Sequence, residues 1–314
     1  LRNLVAGGGV ARDRIWAIHP KPGEIEGCRV FPSLEALPEP ADLAIVSVPA
    51  DQGADHVVTQ IVEGRHARAI TLISGGFGET TGGCAAEARI RAVLAESHRA
   101  PDGGVLLNGG NCLGIISEPG GYNTFFIPSH KLPVRKGASS SLACISQSGA
   151  YLVSQISNLD GVVSPRYAIS FGNQMDVTVS DYLAHLEADP EVRVFAVYLE
   201  GFQRGDGQRF LQEVRRITDG GRKVLLYKAG RTREGSKAAA SHTAAAVGDY
   251  DVCEELARAA GVVVATSLDA FEDDVVTFAS LQGRSSAGRR VAVLTNAGFE
   301  ATAAADALAG LELA

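Results

Sequence analysis

His242 stands in "AASHTAAAVGDYDV", Ala239–Val252, between two hydroxyl residues and among small side chains. The stretch before it, "KAGRTREGSKAA", is equally poor in bulky residues and offers no packing of its own. This predicts a bare loop. A neutral imidazole can attack a phosphoryl group and carry it covalently, and a bare loop could swing it between two places. The competing reading is an ordinary surface loop. A metal site is disfavoured because no second ligand stands at a useful spacing. A triad base is disfavoured because no GxSxG nucleophile elbow is present. The other histidines (His19, His56, His66, His98, His130 and His185) sit in mixed polar or helical contexts and read as surface or incidental.

Two further stretches could serve such chemistry. "SQSG", Ser146–Gly149, follows the apolar run "LACI" and opens the helical pattern "AYLVSQI". A turn of this kind aims free N–H groups and the positive end of a helix dipole at one point, which suits an anion. It reads equally as a plain helix start with a serine cap. "VYLEG", Val197–Gly201, ends an apolar strand on Glu200, a carboxylate that could orient a histidine by accepting its ring N–H, or could simply be a solvated strand end. "SFGNQMD", Ser170–Asp176, also follows a strand, and Asp176 can cap the next helix.

The elements that must position these residues follow an α/β rhythm. Strands are expected at Ile15–Ile18, Leu43–Val48, Ala69–Ile73 and Val105–Leu107, with helices at Asp51–Glu63 and Cys84–Ser97. Short strands, apolar on both faces, indicate a parallel sheet covered by helices on both sides, a doubly wound unit. Gly120–Ser141, with its prolines and glycines, reads as an extended linker. A second α/β unit follows. Its strands are Leu142–Ile145, Tyr167–Ser170, Val194–Leu199, Lys223–Tyr227 and Val262–Ala265. Its helices are Gly149–Asn158, Val177–Glu187, Gly207–Thr218, Tyr250–Ala259 and Ser267–Leu281. "VAVLTNAGFEATAAADALAGL" then predicts a strand, a turn and a helix, the first part of a third α/β domain. "SQSG" and "SFGNQMD" would lie at carboxyl ends of strands, where open α/β sheets bind ligands.

Composition narrows the function. A net charge of −7 supplies no basic stripe for a nucleic-acid backbone. Cys28, Cys84, Cys112, Cys144 and Cys253 form no CxxC pair, which reads as reduced thiols in the cytoplasm. No apolar run approaches the ~20 residues that span a bilayer, and no signal peptide is seen. The opening "LRNLVAGGG" reads as helix interior, which predicts a preceding segment. No GxGxxG follows a strand, which argues against a nicotinamide-dependent oxidoreductase.

In order along the chain, "IWAIHPK", "DLAIVSVPA", "LISGGFGE", "NGGNCLGI", "ISQSGA", "SFGNQMD", "VYLEG", "YKAGRT" and "AASHTAA" resemble the NDP-forming acyl-CoA synthetases, the superfamily of the succinyl-CoA synthetase α subunit. The resemblance implies a Rossmann-like CoA-binding domain at 1–130, a flavodoxin-like CoA-ligase domain at 138–282 and a truncated third domain at 288–314. His242 would be the phosphohistidine and Glu200 its orienting carboxylate. Ser148, Gly149 and Ala150 would open the helix that holds the phosphoryl group. Lys21 would meet a CoA phosphate, Val48 and Pro49 would border the nucleotide, and Asn111 and Cys112 would line the thiol end.

The implied reaction joins a carboxylic acid to CoA: a phosphoryl donor and the acid give an acyl phosphate, and the CoA thiol attacks it, releasing acyl-CoA and phosphate. ATP/ADP and Mg²⁺ would belong to an ATP-grasp domain or subunit outside these residues, within an oligomer. The family pattern GPNCxG is "GGNCLG" here, which predicts a looser turn, and SHTGA is "SHTAA". The alternative is a CoA-sensing regulatory segment of a protein acetyltransferase-type fusion. Loss of the histidine would favour that alternative, but His242 and Glu200 are both present.

Overall fold

The computed structural model describes residues 1–21, 23–78, 81–132, 140–242, 249–282, 284 and 291–308, without the side chains of 238–242. The chain forms two compact units, Leu1–Ser280 and Leu281–Ala314.

The larger unit begins with α1 (Arg2–Gly7) and a small sheet of β1 (Trp16–Ile18), β2 (Glu24–Ile25) and β3 (Cys28–Phe31), in the order β1-β3-β2. β1 was expected in one parallel sheet with the strands at Leu43–Val48, Ala69–Ile73 and Val105–Leu107. It pairs instead in parallel with β3, while β2 and β3 form an antiparallel hairpin too short to show a period in sequence. The next sheet is parallel, with β4 (Ala41–Val46), β5 (Ala67–Leu72) and β6 (Leu106–Gly109) side by side. α2 (Ala54–Glu63) and α3 (Thr81–Ser97) connect them. Val46, Ile70, Leu72 and Leu107 form a common core with Val58 and Ile61 of α2 and Ile90 and Leu94 of α3. Burying each such aliphatic side chain contributes about 1.5–3 kcal/mol.

The third sheet comprises β7 (Gly114–Ser117), β8 (Tyr122–Asn123), β9 (Leu142–Ser146), β10 (Tyr167–Ser170), β11 (Val194–Leu199), β12 (Lys223–Lys228) and β13 (Val263–Val264). The order is β13-β12-β11-β9-β10-β7-β8. β9 to β13 run parallel, and β7 and β8 add an antiparallel edge. That edge corrects the linker reading: Tyr122 and Asn123 are in a strand, and the glycine-rich "GGYN" makes a hairpin that only tertiary pairing reveals. Residues 133–139 of the expected linker lie outside the described residues.

α4 (Gly149–Asn158), α5 (Val179–Glu187), α6 (Asp206–Asp219), α7 (Arg233–His242), α8 (Tyr250–Ala259) and α9 (Leu268–Ser280) complete the unit. α6 turns Phe210, Val214 and Ile217 to the core, a helical spacing. One core joins these residues to Phe195, Val197 and Leu199 of β11; a second joins Val194 and Ala196 to Leu152 of α4 and Phe271 of α9. β11 is therefore buried on both faces, as a central parallel strand must be.

α7 corrects the bare-loop reading. Alanine has the highest intrinsic helix propensity, so a run without bulky residues can still be helical. Thr232 starts the helix by accepting the Gly235 N–H on its hydroxyl at 3.0 Å.

In the smaller unit, α10 (Gly298–Ala307) is formed, but Val291–Thr295 is not a strand as expected. Among the described residues no neighbouring strand pairs with it, and an unpaired strand has no ladder to hold it.

Candidate functional site

Relative to chain order, the parallel strands β9 to β13 are arranged 2-1-3-4-5 across the sheet. The order reverses between β9 and β11, and a crevice opens there outside the carboxyl ends of the strands. "SQSG" ends β9 and Glu200 follows β11, so two of the stretches read from sequence meet at this point.

Ser148 is the N-cap of α4, and its hydroxyl accepts the Tyr151 N–H at 3.3 Å. The N–H groups of Gly149 and Ala150 precede any acceptor within the helix and lie at its positive end. Gly149 cannot be larger: a Cβ there would stand 2.8 Å from Leu113 Cγ. The "GGNCLG" turn of the first half thus abuts the start of α4.

Glu200 is 7% exposed, which overturns the solvated strand-end reading. Its backbone is held on both sides. Gln147 Oε1 accepts the Glu200 N–H at 2.8 Å and the Gly201 N–H at 3.1 Å. The buried Lys228 Nζ donates to the Glu200 and Ala229 carbonyls, each at 2.7 Å. Burial lowers the Lys228 pKa. Tyr198, two residues before Glu200 and on the same strand face, has its pKa raised by burial, then by the Glu200 charge, Tyr227 and a hydrogen bond to the Glu200 side chain. Gln147 and Lys228 were not singled out in sequence. Their only signal was polar character at the ends of apolar strands.

In the first half, the turns after β4, β5 and β6 are linked. The Ser74 hydroxyl donates to the Val48 carbonyl, and the Asn111 N–H donates to the Ser74 carbonyl at 2.8 Å. Val48 is partly buried, while Pro49 and Asn111 are exposed. Gly75 leaves room for Asn111, whose Oδ1 would lie 3.1 Å from a Cβ on that glycine. Cys112 points the other way. It is 3% exposed, its thiol donates to the Leu72 carbonyl at 3.3 Å, and burial pushes its pKa up to about 12. Of this pair, both expected to line the thiol end of CoA, the Cys112 side chain is buried and Asn111 is exposed. Lys21 is exposed, and its N–H donates to His19 Nδ1 at 3.1 Å. Among the described residues no hydrogen bond ties Lys21 to those turns.

"SFGNQMD" clamps the two halves together. Asn173 N–H donates to Gly110 O and Met175 N–H to Gly109 O, both at 2.9 Å, and Val177 N–H donates to Leu107 O at 3.1 Å. Asp176 accepts the Leu107 N–H at 2.8 Å and also pairs with His98 Nε2 at 2.7 Å. These bonds hold the "GGNCLG" turn, whose Gly109–Gly110 peptide is cis. His98 is thus part of the clamp, not incidental.

His242 is the last residue of α7. Its side chain lies outside the described ones, as do residues 243–248. Among the described residues no group of three or more His, Cys, Asp or Glu could hold a metal ion. No helix among them is long and apolar enough to cross a membrane.

A parallel α/β half with linked strand-end turns is thus clamped to a flavodoxin-like sheet that carries a helix start and a buried carboxylate at its switch point. The comparisons agree. Residues 1–118 match a CoA binding domain, and residues 139–278 match a succinyl-CoA ligase like flavodoxin domain. The chain thus carries a CoA binding domain followed by a succinyl-CoA ligase like flavodoxin domain, and proteins similar to it are ADP-forming CoA ligases.

Among relatives, it is 33% identical over 298 residues to acetate–CoA ligase [ADP-forming] I of Archaeoglobus fulgidus, covering 93% of this chain and 40% of that protein. It is 29% identical over 304 residues to acetate–CoA ligase [ADP-forming] II subunit alpha of Pyrococcus furiosus, covering 96% of this chain and 62% of that protein. A solved structure, the dinucleotide forming acetyl-coenzyme A synthetase 1 of Ca. Korarchaeum cryptofilum in complex with phosphate and ADP, superposes with a TM-score of 0.82 at 28% identity. The match covers 100% of this chain and 64% of that one. The chain therefore spans about two thirds or less of the length of these proteins.

Proposed function

We propose that this chain is the CoA-binding and phosphohistidine part of an NDP-forming acyl-CoA synthetase. Residues 1–130 would form the CoA-binding domain and 138–282 the ligase domain. The observation that carries the proposal is the junction at Gly149: the turn beside Asn111 abuts the α4 start, and Glu200 is fixed across the same crevice.

In the direction of acyl-CoA breakdown, phosphate attacks the thioester carbonyl, the C–S bond breaks, and CoA leaves as the thiol with a proton from phosphate. The neutral imidazole of His242 then attacks phosphorus. The P–O bond to the acyl group breaks, a carboxylate leaves, and a P–N bond forms. Glu200 accepts the remaining ring N–H and stabilises the charge that develops on the ring. The Gly149 and Ala150 N–H groups and the α4 dipole offset the phosphoryl charge. Synthesis runs these steps in reverse. Lys21, Val48, Pro49 and Asn111 would hold CoA, with Cys112 supporting the turn from beneath. An ATP-grasp domain or subunit, in an oligomer, would exchange the phosphoryl group between His242 and the nucleotide. Mg²⁺ would neutralise phosphate charge on that nucleotide.

The test is a panel of carboxylic acids given to the complete protein with CoA, Mg²⁺ and ATP or GTP. Acid-dependent thioester formation with release of nucleoside diphosphate and phosphate is expected. Thioester formation with AMP and pyrophosphate as products would refute the proposal.

A further inference from the structure

Gln147 has a second role available to it. Its side-chain oxygen faces two donors, the N–H groups of Glu200 and Gly201, so the hydrogen-bond pattern fixes which end of the amide is oxygen and which is nitrogen. The nitrogen, Nε2, is buried and has no hydrogen-bond partner among the described residues, in a residue only 4% exposed. Buried polar groups in folded proteins are nearly always paired, so an unpaired donor calls for an acceptor supplied from elsewhere. Gln147 leaves the end of β9 directly before the α4 N-cap, and its amide is anchored at the end of β11. The unused donor is thus on the residue between β9 and the α4 N-cap, on the two strands that flank the switch point.

We propose that Gln147 binds the phosphoryl group, its Nε2 donating to a phosphoryl oxygen while its Oε1 holds Glu200 in place. This rests on the phosphohistidine reading above. It adds a side-chain donor to the backbone donors of α4 and makes one amide serve both the anion and the carboxylate. A change at Gln147 should then affect phosphate handling even when the Glu200 clamp is kept.

The test uses the full-length protein with [³²P]phosphate and acetyl-, 4-hydroxybutyryl- or feruloyl-CoA, without nucleotide, so that the phosphoenzyme accumulates. Whichever thioester labels the parent protein fastest is then used for Gln147→Glu and Gln147→Met. Glutamate keeps an acceptor for the Glu200 and Gly201 N–H groups but replaces the donor; methionine removes both. At about pH 8 each variant should label about 100-fold more slowly, the usual cost of one preorganised donor, with a raised KM for phosphate. CoA binding by Gln147→Glu should stay near that of the parent.

Lowering the pH towards about 6 should partly restore Gln147→Glu, because a protonated carboxyl again offers a donor; Gln147→Met should not recover. Labelling of Gln147→Glu within about threefold of the parent would overturn the inference and leave the phosphohistidine reading intact. A loss in Gln147→Glu that does not recover as the pH falls would also overturn it. Absence of label in the parent with every thioester would overturn the phosphohistidine reading and this inference with it.

Discussion

Gly172 gives the sharpest test of how the two halves are held together. Its φ is +57°, in the left-handed region, and a Cβ there would lie 2.1 Å from Gly110 O and 2.6 Å from Asn111 O. Both atoms are backbone of the turn that carries Asn111, so neither can rotate away. In Gly172→Ala the left-handed conformation costs about 1 kcal/mol. Forcing the turns apart adds about 1–3 kcal/mol. Separation also weakens the Asn173–Gly110 and Met175–Gly109 hydrogen bonds, each worth about 1 kcal/mol. The total is about 3–5 kcal/mol, less where the turns can shift as a pair. Gly205→Ala is the matched control: its φ is +84°, and a Cβ there meets nothing within 4 Å. It should show only the conformational cost, about 1 kcal/mol. Urea unfolding gives both values, with the slope m checking that the unfolded state is unchanged. Calorimetry should show CoA binding weakened in Gly172→Ala alone. Equal destabilisation by the two substitutions would refute the clamp as described.

Three further outcomes are expected. Burial disfavours the charged form of His98, but the Gly103 carbonyl and the Asp176 carboxylate outweigh it, and its pKa is raised. The stability it contributes is therefore complete below the free-imidazole value of about 6.5 and is lost as pH rises through the folded value. Urea midpoints of the parent should fall over that range relative to His98→Gln, and parallel profiles would count against the pairing. Lys228→Met leaves the Glu200 and Ala229 carbonyls without their donor, at about 1–3 kcal/mol each, partly offset by removal of a buried cation. A net loss of about 1–3 kcal/mol in urea unfolding is expected, and a variant as stable as the parent would contradict it. Lys21→Ala should weaken CoA binding a few-fold, an effect of up to about 1 kcal/mol for an exposed charge, and the difference should vanish at high salt. A difference that persists unchanged in high salt would remove Lys21 from the electrostatic contact.

The second α/β unit was legible in the sequence because its signals are local. β10 and β11 have the expected bounds, since each is an apolar run broken by polar or glycine residues. α4 and α8 also begin where expected, because Ser148 and Asp249 cap them with their own side chains. The failures depend on distant partners. β7 and β8 are short, and pairing with β10 makes them an edge. α7 was mistaken for a loop because bulky residues were sought where alanine propensity suffices. At the site, Glu200 and Ser148 stood out as polar residues at strand and helix ends. Gln147 sat inside the quoted motif, yet its significance depends on a contact 53 residues away. Cys112 was read as lining the thiol end of CoA, and the "GGNCLG" turn buries its thiol against Leu72, a contact the sequence does not show.

The central claim is that His242 carries a phosphoryl group oriented by Glu200. The most direct measurement is phosphorylation of the complete protein with γ-labelled ATP and Mg²⁺, followed by mapping of the labelled peptide. An acid-labile, base-stable adduct on the peptide containing His242 is expected, absent from His242→Ala and formed far more slowly in Glu200→Gln with CoA binding intact. An adduct of equal yield in His242→Ala would contradict the claim.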